Sequence, residues 1–301
     1  MLNHPVDSSR NCNGIWFFSS KRILNVFRRD PKNAGDWWSP PCKYFNLGKD
    51  EEDLLSIKKI NPNVDLIVVG GGGLGRYGVF KESLDHLSAA GRKYKLIAWG
   101  VGADTITTKN RLINADKDTS REEINELLSF YKHFDIVGTR IYSDEIKWDS
   151  KLRWVPCASC MNNLFDDLRK TQPTAKVGVF THLRVDARKH IYANLWDRLS
   201  KNYPRISNKN CNLAQKLIFM ARFETIITNS YHGAYWATLL NRKVICLPYK
   251  NGLFTLKHKP TYYDGKASLD LTIKDARNYP KALEECRDVN IDFFNSLRHS
   301  Q

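Results

Sequence analysis

Short apolar segments alternate with longer segments whose apolar residues recur at helical spacing along most of the chain. Gly, Asn and Asp bound the apolar segments, which is typical of buried strands that end in turns. Strands are predicted at residues 22–27, 65–69, 94–99, 135–138, 176–180, 225–228 and 243–247. Helices are predicted at residues 80–90, 121–133, 212–222, 231–240 and 275–289. Strands that alternate with helices favour parallel sheets of the α/β class.

The pattern restarts after the polar stretch around residues 165–175, which predicts two doubly wound domains. We place them at residues 1–168 and 169–301. For the last helix, packing against the first domain is a further possibility. Two facing α/β domains form a cleft, and ligands of open α/β sheets bind at the carboxyl ends of the strands. The loops that follow strands are therefore where functional residues are expected.

Composition narrows the class of protein. The 42% hydrophobic content of the 301 residues is that of a globular chain. No apolar run approaches the ~20 residues of a membrane-spanning helix, and the first residues lack the pattern of a secretory signal. A cytoplasmic protein is predicted, with the inner face of the membrane as a further location. The seven cysteines are then expected to be reduced. The lone Cys157-x-x-Cys160 pair fits two packed thiols better than a zinc or redox site.

The charge of +15 favours anionic partners. Basic residues are spread along the chain without a dense stripe or a known nucleic-acid-binding module, so nucleic acid is not a predicted partner. Two interpretations remain: a solvated basic surface, with peripheral contact to an anionic membrane, or a site for anionic small substrates.

The first candidate loop follows the first strand and contains Asn33, Gly35 and Asp36. An aspartate beyond a strand end, beside a glycine that allows close backbone approach, suits a general base or a hydroxyl-binding group. The alternative is that Asp36 caps a turn or a helix.

The second candidate loop is the glycine-rich stretch after the second strand, residues 70–78. It satisfies G-x-G-x-x-G, but the next strand does not end in the acidic residue that a dinucleotide fingerprint requires. We therefore expect the loop to let a substrate lie close to the backbone. The predicted substrate-binding glycines are Gly71, Gly72 and Gly73.

Cationic side chains follow two further strands. Arg140 lies where a guanidinium can grip a carboxylate or phosphate, or else pair with Asp144 or Glu145. His182 and Arg184 follow the first strand of the second half in the same way.

The sequence Asn-Ser-Tyr-His-Gly-Ala stands where the strand at 225–228 gives way to a helix. Ser230 is a suitable N-cap, and the first helical turn offers free N–H groups and a positive dipole end to an anion. His232 lies in that turn, and Gly233 and Ala234 are expected to leave space for a ligand. The alternative for His232 is a packed or surface histidine.

Together these loops resemble the polysaccharide pyruvyl transferase family, from about residue 23 to residue 248. The resemblance rests on the order and spacing of NAGDWWSP, VVGGGGLG, WGVGAD, VGTR and ITNSYHGAYWATLLNRKVICLP. It implies two Rossmann-like domains facing across a cleft, as in B-type glycosyltransferases, with the acceptor on the N-terminal side and the donor on the C-terminal side. Family members transfer the enolpyruvyl unit of phosphoenolpyruvate to sugar hydroxyls and form a ketal on a surface glycan, such as an exopolysaccharide, or its precursor.

Carried over, the resemblance implies the family's N-x-G-D turn at Asn33, Gly35 and Asp36, and its motif serine and histidine at Ser230 and His232. Arg140 and Arg184 match its arginines after strands. The chain departs from the family in having Tyr231 where many members carry an arginine.

The chemistry expected from this match is donor binding by several cations, with His232 as general acid or phosphate partner and Asp36 as general base. No cofactor and no metal are predicted. The acceptor is expected to be a glycan or a lipid-linked saccharide. The alternative within enzymes is a B-type glycosyltransferase that uses a nucleotide-sugar donor, and the alternative outside enzymes is a basic glycan- or polyanion-binding protein.

Overall fold

The computed structural model describes residues 21–75, 78–89, 91–103, 124–125, 128–182, 193–247, 251–263 and 265–299. The strands are β1 Ile23–Phe27, β2 Asp50–Asp53, β3 Leu66–Gly70, β4 Gly73–Gly75, β5 Lys95–Ala103, β6 Ile136–Thr139, β7 Leu152–Trp154, β8 Ala175–Thr181, β9 Arg205–Ser207, β10 Phe223–Thr228, β11 Lys243–Cys246 and β12 Thr261–Tyr262. The α-helices are α1 Ala34–Trp38, α2 Gly78–Leu87, α3 Leu164–Leu168, α4 Ala193–Asn202, α5 Leu213–Ala221, α6 Tyr231–Leu239, α7 Leu269–Asp275 and α8 Ala282–His299. Single 3-10 turns lie at Pro41–Lys43, Ser129–His133, Ala158–Met161 and Asn251–Thr255.

The first sheet has the strand order β2-β1-β3-β5-β6-β7, with β4 paired to β5. Its strand pairs are parallel. Every residue of β1 and β3 is buried, as expected for strands covered on both faces. The near-continuous apolar runs of these strands are the sequence signature of that burial.

The second sheet has the order β12-β11-β10-β8-β9 and is also parallel. Its central strand, β10, has a buried side chain at every position except Glu224. The helix that follows β10, α6, is buried along its whole length. A helix that is apolar all round is expected inside a protein rather than on its surface.

The predicted α/β class with parallel sheets is confirmed. The seven predicted strands correspond to β1, β3, β5, β6, β8, β10 and β11, with ends shifted by a few residues. The short strands β2, β4, β7, β9 and β12 were not predicted. β2 has the sequence Asp-Glu-Glu-Asp, which carries no apolar signal, and it joins the sheet as an edge strand beside β1.

The helix predicted at residues 275–289 is wrong at both ends. One helix, α7, ends at Asp275, and the next, α8, runs from Ala282 to His299. Pro280 lies between them, and proline disfavours helical conformation in the residue before it. Of the helix predicted at residues 121–133, residues 129–133 form a 3-10 turn, and most of the rest lies outside the described residues.

Helix α8 packs against the first sheet. Phe293 lies edge-on to Trp99 of β5, with the ring centroids 5.1 Å apart. The Trp99 indole N–H donates to Asn290 Oδ1 at 2.8 Å, and Asn290 Nδ2 donates to the carbonyl of Pro156 at 3.3 Å. The last helix therefore contacts the sheet formed by the first half of the chain, while the division at residue 168 stays a prediction.

The strand ends determine where functional side chains lie. The carboxyl ends of β1, β3, β5 and β6 are at one edge of the first sheet, because the strands are parallel. The carboxyl ends of β8, β10 and β11 are at the corresponding edge of the second sheet. Contacts between described residues next to these two sets of strand ends form the candidate site.

Candidate active site

The turn after β1 is organised by Asn33, the N-cap of α1. Its Oδ1 accepts from the backbone N–H of Gly35 at 3.1 Å, and its Nδ2 donates to Asp36 Oδ2 at 2.7 Å. The alternative that Asp36 itself caps this helix is therefore wrong: Asn33 is the cap, and Asp36 lies in the first turn. Because Asn33 holds one carboxylate oxygen, the cap also orients Asp36.

This turn is joined to the second sheet by the segment after β9. Asn208 donates from its Nδ2 to Asn33 Oδ1 at 2.9 Å, and its carbonyl accepts from the N–H of Ala34 at 2.9 Å. The Trp38 indole N–H donates to the carbonyl of Cys211 at 2.5 Å. The predictions missed Asn208, whose only sequence signal is its place in a polar run behind a short strand.

The first turn of α6 faces the turn of Asn33. Ser230 caps α6 as predicted: its hydroxyl oxygen accepts from the N–H of Gly233 at 3.4 Å. His232 is buried, with 7% of its surface exposed. A Cβ built on Gly35 would lie 2.3 Å from Nδ1 of His232, so the imidazole lies directly against the Gly35 backbone. Glycine at position 35 allows this approach, and His232 is brought to the turn that carries Asp36.

Arg140 follows β6 and is also buried, with 4% exposed. Its guanidinium carbon lies 3.7 Å from the centroid of the Tyr231 ring, a cation–π geometry. Its Nε packs over Gly102, where an added Cβ would come within 2.4 Å. Within the described part of the chain, its Nη1 is buried without a hydrogen-bond partner. The predicted alternative, a salt bridge to Asp144 or Glu145, is not among the contacts of Arg140 in the described residues.

A small pocket adjoins Arg140 and the ring of Tyr231, and it is also lined by Trp154, Lys257 and His258. Lys257 and His258 come from the segment after the 3-10 turn Asn251–Thr255. Trp154 is at the end of β7, so the pocket lies between residues of both sheets. A donor group of Arg140 without a partner next to a pocket is a common feature of sites that bind anions.

The two other basic side chains of this pocket already have a partner. His258 Nε2 lies 2.7 Å from Glu285 Oε2, and Lys257 forms an ion pair with the same carboxylate. Burial lowers the pKa of His258 below its ordinary value, although Glu285 acts in the opposite direction. Among the described lining residues, Arg140 is therefore the cation available to a ligand.

The glycine-rich loop is less open than predicted. A Cβ on Gly71, which has φ +69°, would lie 2.4 Å from the Ser39 side chain, so this glycine serves packing and backbone conformation. Gly72 is the glycine that faces the site, since its Cβ position is 3.7 Å from Asp36 Oδ1. Gly73 begins β4, which pairs with β5. Of these three glycines, only Gly72 therefore lies beside another predicted site residue, Asp36.

Gly233 needs a correction. It was expected to leave space for a ligand, but a Cβ there would lie 2.2 Å from Thr228 Oγ1 and 2.6 Å from Phe180. Close packing of α6 on strands β8 and β10 fills that space. His182 is held near the same strand ends, because its N–H donates to Asn229 Oδ1 at 2.8 Å. Arg184 lies outside the described residues.

Substituting Gly35 tests the contact between α1 and His232. We expect Gly35→Ala to lower the free energy of unfolding by about 1–3 kcal/mol, the usual cost of overpacking, because the new methyl enters the space of a buried imidazole. In a His232→Ala background the ring is absent, and the same change should be neutral or slightly stabilising, since alanine favours a helix over glycine. Urea denaturation of the four proteins measures this coupling. An equal loss in both backgrounds would show that the imidazole does not limit position 35.

An α/β fold that gathers a buried arginine, a histidine and a carboxylate at the ends of its parallel strands is typical of α/β enzymes. The chain belongs to the polysaccharide pyruvyl transferase family, whose model matches residues 20–251. It is thus a transferase, and the predicted membership is confirmed.

Several solved structures resemble the chain at low identity. An uncharacterised Klebsiella pneumoniae protein is 18% identical, with 77% of this chain and 85% of that chain covered and a TM-score of 0.43. The UDP complex of S. aureus MnaA is 12% identical, with 92% and 97% covered and a TM-score of 0.45. A putative UDP-N-acetylglucosamine 2-epimerase of Listeria monocytogenes is 12% identical, with 90% and 89% covered and a TM-score of 0.44. Among curated proteins, none matches the chain significantly.

The described residues lack two features that would point to other kinds of site. None of their helices is both long and apolar enough to cross a membrane. None of their groups of three or more His, Cys, Asp and Glu side chains is arranged to hold a metal ion. Cys157 and Cys160 are both buried and free.

Proposed function

We propose that the protein transfers a pyruvyl group from phosphoenolpyruvate to a sugar of a surface polysaccharide or its precursor and forms a ketal. The observation that carries the proposal is the buried Arg140, whose Nη1 lacks a partner in the described structure and whose guanidinium lies over the ring of Tyr231 in the first turn of α6. A buried arginine N–H without a hydrogen-bond partner lowers the stability of the fold, unless a ligand accepts that hydrogen bond. Family membership supplies the reaction class.

The donor side needs positive groups, because phosphoenolpyruvate carries both a phosphate and a carboxylate. Arg140 provides a guanidinium, which suits either anion by paired hydrogen bonds. The N-terminal turn of α6 adds its positive dipole end and His232. Ser230 and His182 support this turn as the cap and as a partner of Asn229. Arg184 is the further donor-binding cation that we propose from the sequence.

The acceptor side is the turn of Asn33, Gly35 and Asp36. Asn33 holds one oxygen of the Asp36 carboxylate, and the backbone of Gly72 lies beside the other. This carboxylate is the proposed general base that removes a proton from a sugar hydroxyl. Gly72 carries no side chain on that side of the site, which suits a bulky glycan or lipid-linked saccharide. The net charge of +15 favours an acceptor at an anionic membrane surface.

The reaction joins one donor to two hydroxyls of one sugar. The first hydroxyl oxygen bonds to C2 of the enolpyruvyl unit, its proton is taken up, and the methylene carbon gains a proton to become a methyl group. The second hydroxyl oxygen then bonds to C2, the bond from C2 to the phosphate oxygen breaks, and the second proton leaves with the phosphate. The products are a pyruvate ketal and inorganic phosphate. His232 is proposed either to bind the departing phosphate or to supply the methylene proton.

Phosphate release tests the proposal directly. Purified protein is mixed with phosphoenolpyruvate and a panel of glycans and lipid-linked saccharides, and inorganic phosphate is measured with and without acceptor. We expect release that depends on one class of acceptor, together with a thermal shift caused by phosphoenolpyruvate. No release above background with any acceptor contradicts the proposal. A thermal shift with nucleotide sugars alone identifies a glycosyltransferase instead.

A further inference from the structure

A chain of buried polar side chains lies behind His232, on the side away from Gly35. Trp236 Nε1 is 2.9 Å from Ser159 Oγ, Ser159 Oγ is 3.2 Å from Cys157 Sγ, and Cys157 Sγ is 3.5 Å from His232 Nε2. Residues 157 and 232 are far apart in sequence, and the contact joins the 3-10 turn region after β7 to the first turn of α6.

The direction of the hydrogen bonds follows from what each group can donate. An indole N–H donates only, so Ser159 Oγ accepts from Trp236. The Ser159 hydroxyl proton is then directed to its other partner, Cys157 Sγ. With Ser159 donating to its sulfur, the thiol of Cys157 has its own proton to offer to His232 Nε2, 3.5 Å away. In the opposite direction Ser159 Oγ would accept from both Trp236 and Cys157, and its own proton would be left without either of these partners.

The thiol keeps its proton under ordinary conditions. Burial raises the pKa of Cys157 above its ordinary value, although the hydrogen bonds of Ser159 and the charge of Arg140 act in the opposite direction. The side chain has no exposed surface. Cys157 is also fixed in position, because the Tyr235 hydroxyl donates to its carbonyl at 2.8 Å. The group that faces Nε2 is therefore a protonated thiol that is held in place.

We propose that Cys157, supported by Ser159 and Trp236, is a positioning residue that fixes His232 as the neutral tautomer with its proton on Nδ1. The Nδ1 edge is the one that lies against Gly35, in the turn that carries Asp36. His232 therefore presents an N–H donor toward the α1 turn.

This inference rests on the proposed function of His232 and makes it more specific. A neutral imidazole whose N–H points at a ligand acts as an electrophile that stabilises negative charge, whereas supplying a proton needs the imidazolium form. Of the two proposed roles, the tautomer selects the hydrogen bond to the departing phosphate. Cys157 acts through His232 and does not touch the substrate.

Nitrogen NMR of the histidine side chains tests the tautomer without any substrate, so the result does not depend on the proposed reaction. Long-range proton–nitrogen spectra of uniformly labelled full-length protein are recorded at neutral pH, and His232 is assigned by its loss in His232→Asn. We expect its Nδ1 to be protonated and its Nε2 unprotonated. A wild-type spectrum with Nε2 protonated overturns the proposal, whatever any variant does.

Three substitutions separate the hydrogen bond from mere packing. Cys157→Ala removes the donor and should give a mixture of both tautomers, whereas Cys157→Ser keeps a donor and should retain the wild-type spectrum. Cys246→Ala is the matched control, because Cys246 is likewise fully buried but belongs to β11; it should leave the spectrum unchanged. If phosphate release is established, Cys157→Ala should lower kcat by about tenfold or more, as a misplaced tautomer does elsewhere, and Cys157→Ser should restore it. An unchanged His232 spectrum in Cys157→Ala contradicts the proposal.

Discussion

Replacing His232 with leucine is expected to lower the rate of phosphate release from phosphoenolpyruvate by about 10²- to 10³-fold, the usual loss when a preorganised donor to developing charge is removed. Leucine has a similar volume and keeps the packing against Trp236, whose ring centroid lies 5.0 Å from that of the imidazole. What it loses is the N–H that faces the turn of Asp36. The measurement is kcat with saturating donor and acceptor.

Substituting His232 with asparagine or glutamine places an amide N–H at one or the other nitrogen position of the imidazole ring. Asparagine carries its amide nitrogen where His232 has Nδ1, and glutamine carries it where His232 has Nε2. His232→Asn should therefore retain more activity than His232→Gln, because Nδ1 is the edge that lies against Gly35. His86→Gln is the matched control, since His86 is exposed on the outer helix α2, and it should keep wild-type activity. A leucine variant that retains more than about a tenth of the wild-type rate would remove His232 from the mechanism.

Local features of the site could be predicted from the sequence because their causes lie within a few residues. The cap of Ser230 on α6 requires only a serine before the helix and a free N–H three residues later. The position of Arg140 beyond β6 follows from the apolar run that precedes it. The parallel order of the sheets follows in the same way from the alternation of strands and helices.

The remaining features depend on contacts between distant segments. The space beside Gly233 is filled by Phe180, which comes from another strand, so no local pattern could show that this glycine serves packing. Cys157 was predicted as a packed thiol, and its contact with His232 exists because the segment after β7 meets α6. The helix expected at residues 275–289 was misplaced because apolar periodicity outweighed Pro280 in the prediction.

The partner of Arg140 illustrates the same limit in a functional residue. From the sequence, nearby Asp144 and Glu145 were the natural alternatives for a salt bridge. In the folded chain the guanidinium lies instead over the ring of Tyr231. Tyr231 is 91 residues away in the sequence, in the first turn of α6, the helix that follows β10 of the second sheet. Tyr231 stands where many family members carry an arginine, and Arg140, which follows β6, brings a guanidinium to the face of the Tyr231 ring. A cation is thus present beside position 231 even though the residue there is uncharged.

Arg140→Met is expected to weaken phosphoenolpyruvate binding by about 10- to 150-fold, which corresponds to the 1.5–3 kcal/mol of a hydrogen bond to a charged group. The same change should leave the free energy of unfolding within about 1 kcal/mol of wild type, although it replaces a side chain that is 4% exposed. Methionine fills a similar length between Gly102 and Tyr231, and it removes a buried donor that lacks a partner in the described structure. The lost cation–π contact with Tyr231 lowers the free energy of unfolding, and the removal of the unpartnered Nη1 raises it by a similar amount.

The two measurements together distinguish a binding arginine from a structural one. Donor affinity is measured by titration calorimetry and stability by urea denaturation, for wild type, Arg140→Met and Arg140→Lys. Lysine keeps the charge but not the planar fork, so its donor affinity should lie between the other two. Arg222→Met is the matched control, because Arg222 is an exposed arginine whose guanidinium carbon lies 5.9 Å from the Phe223 ring centroid; its donor affinity should stay at the wild-type value. If Arg140→Met instead unfolds far more easily while binding phosphoenolpyruvate normally, Arg140 is a structural residue, because a ligand would then not be needed to explain its burial.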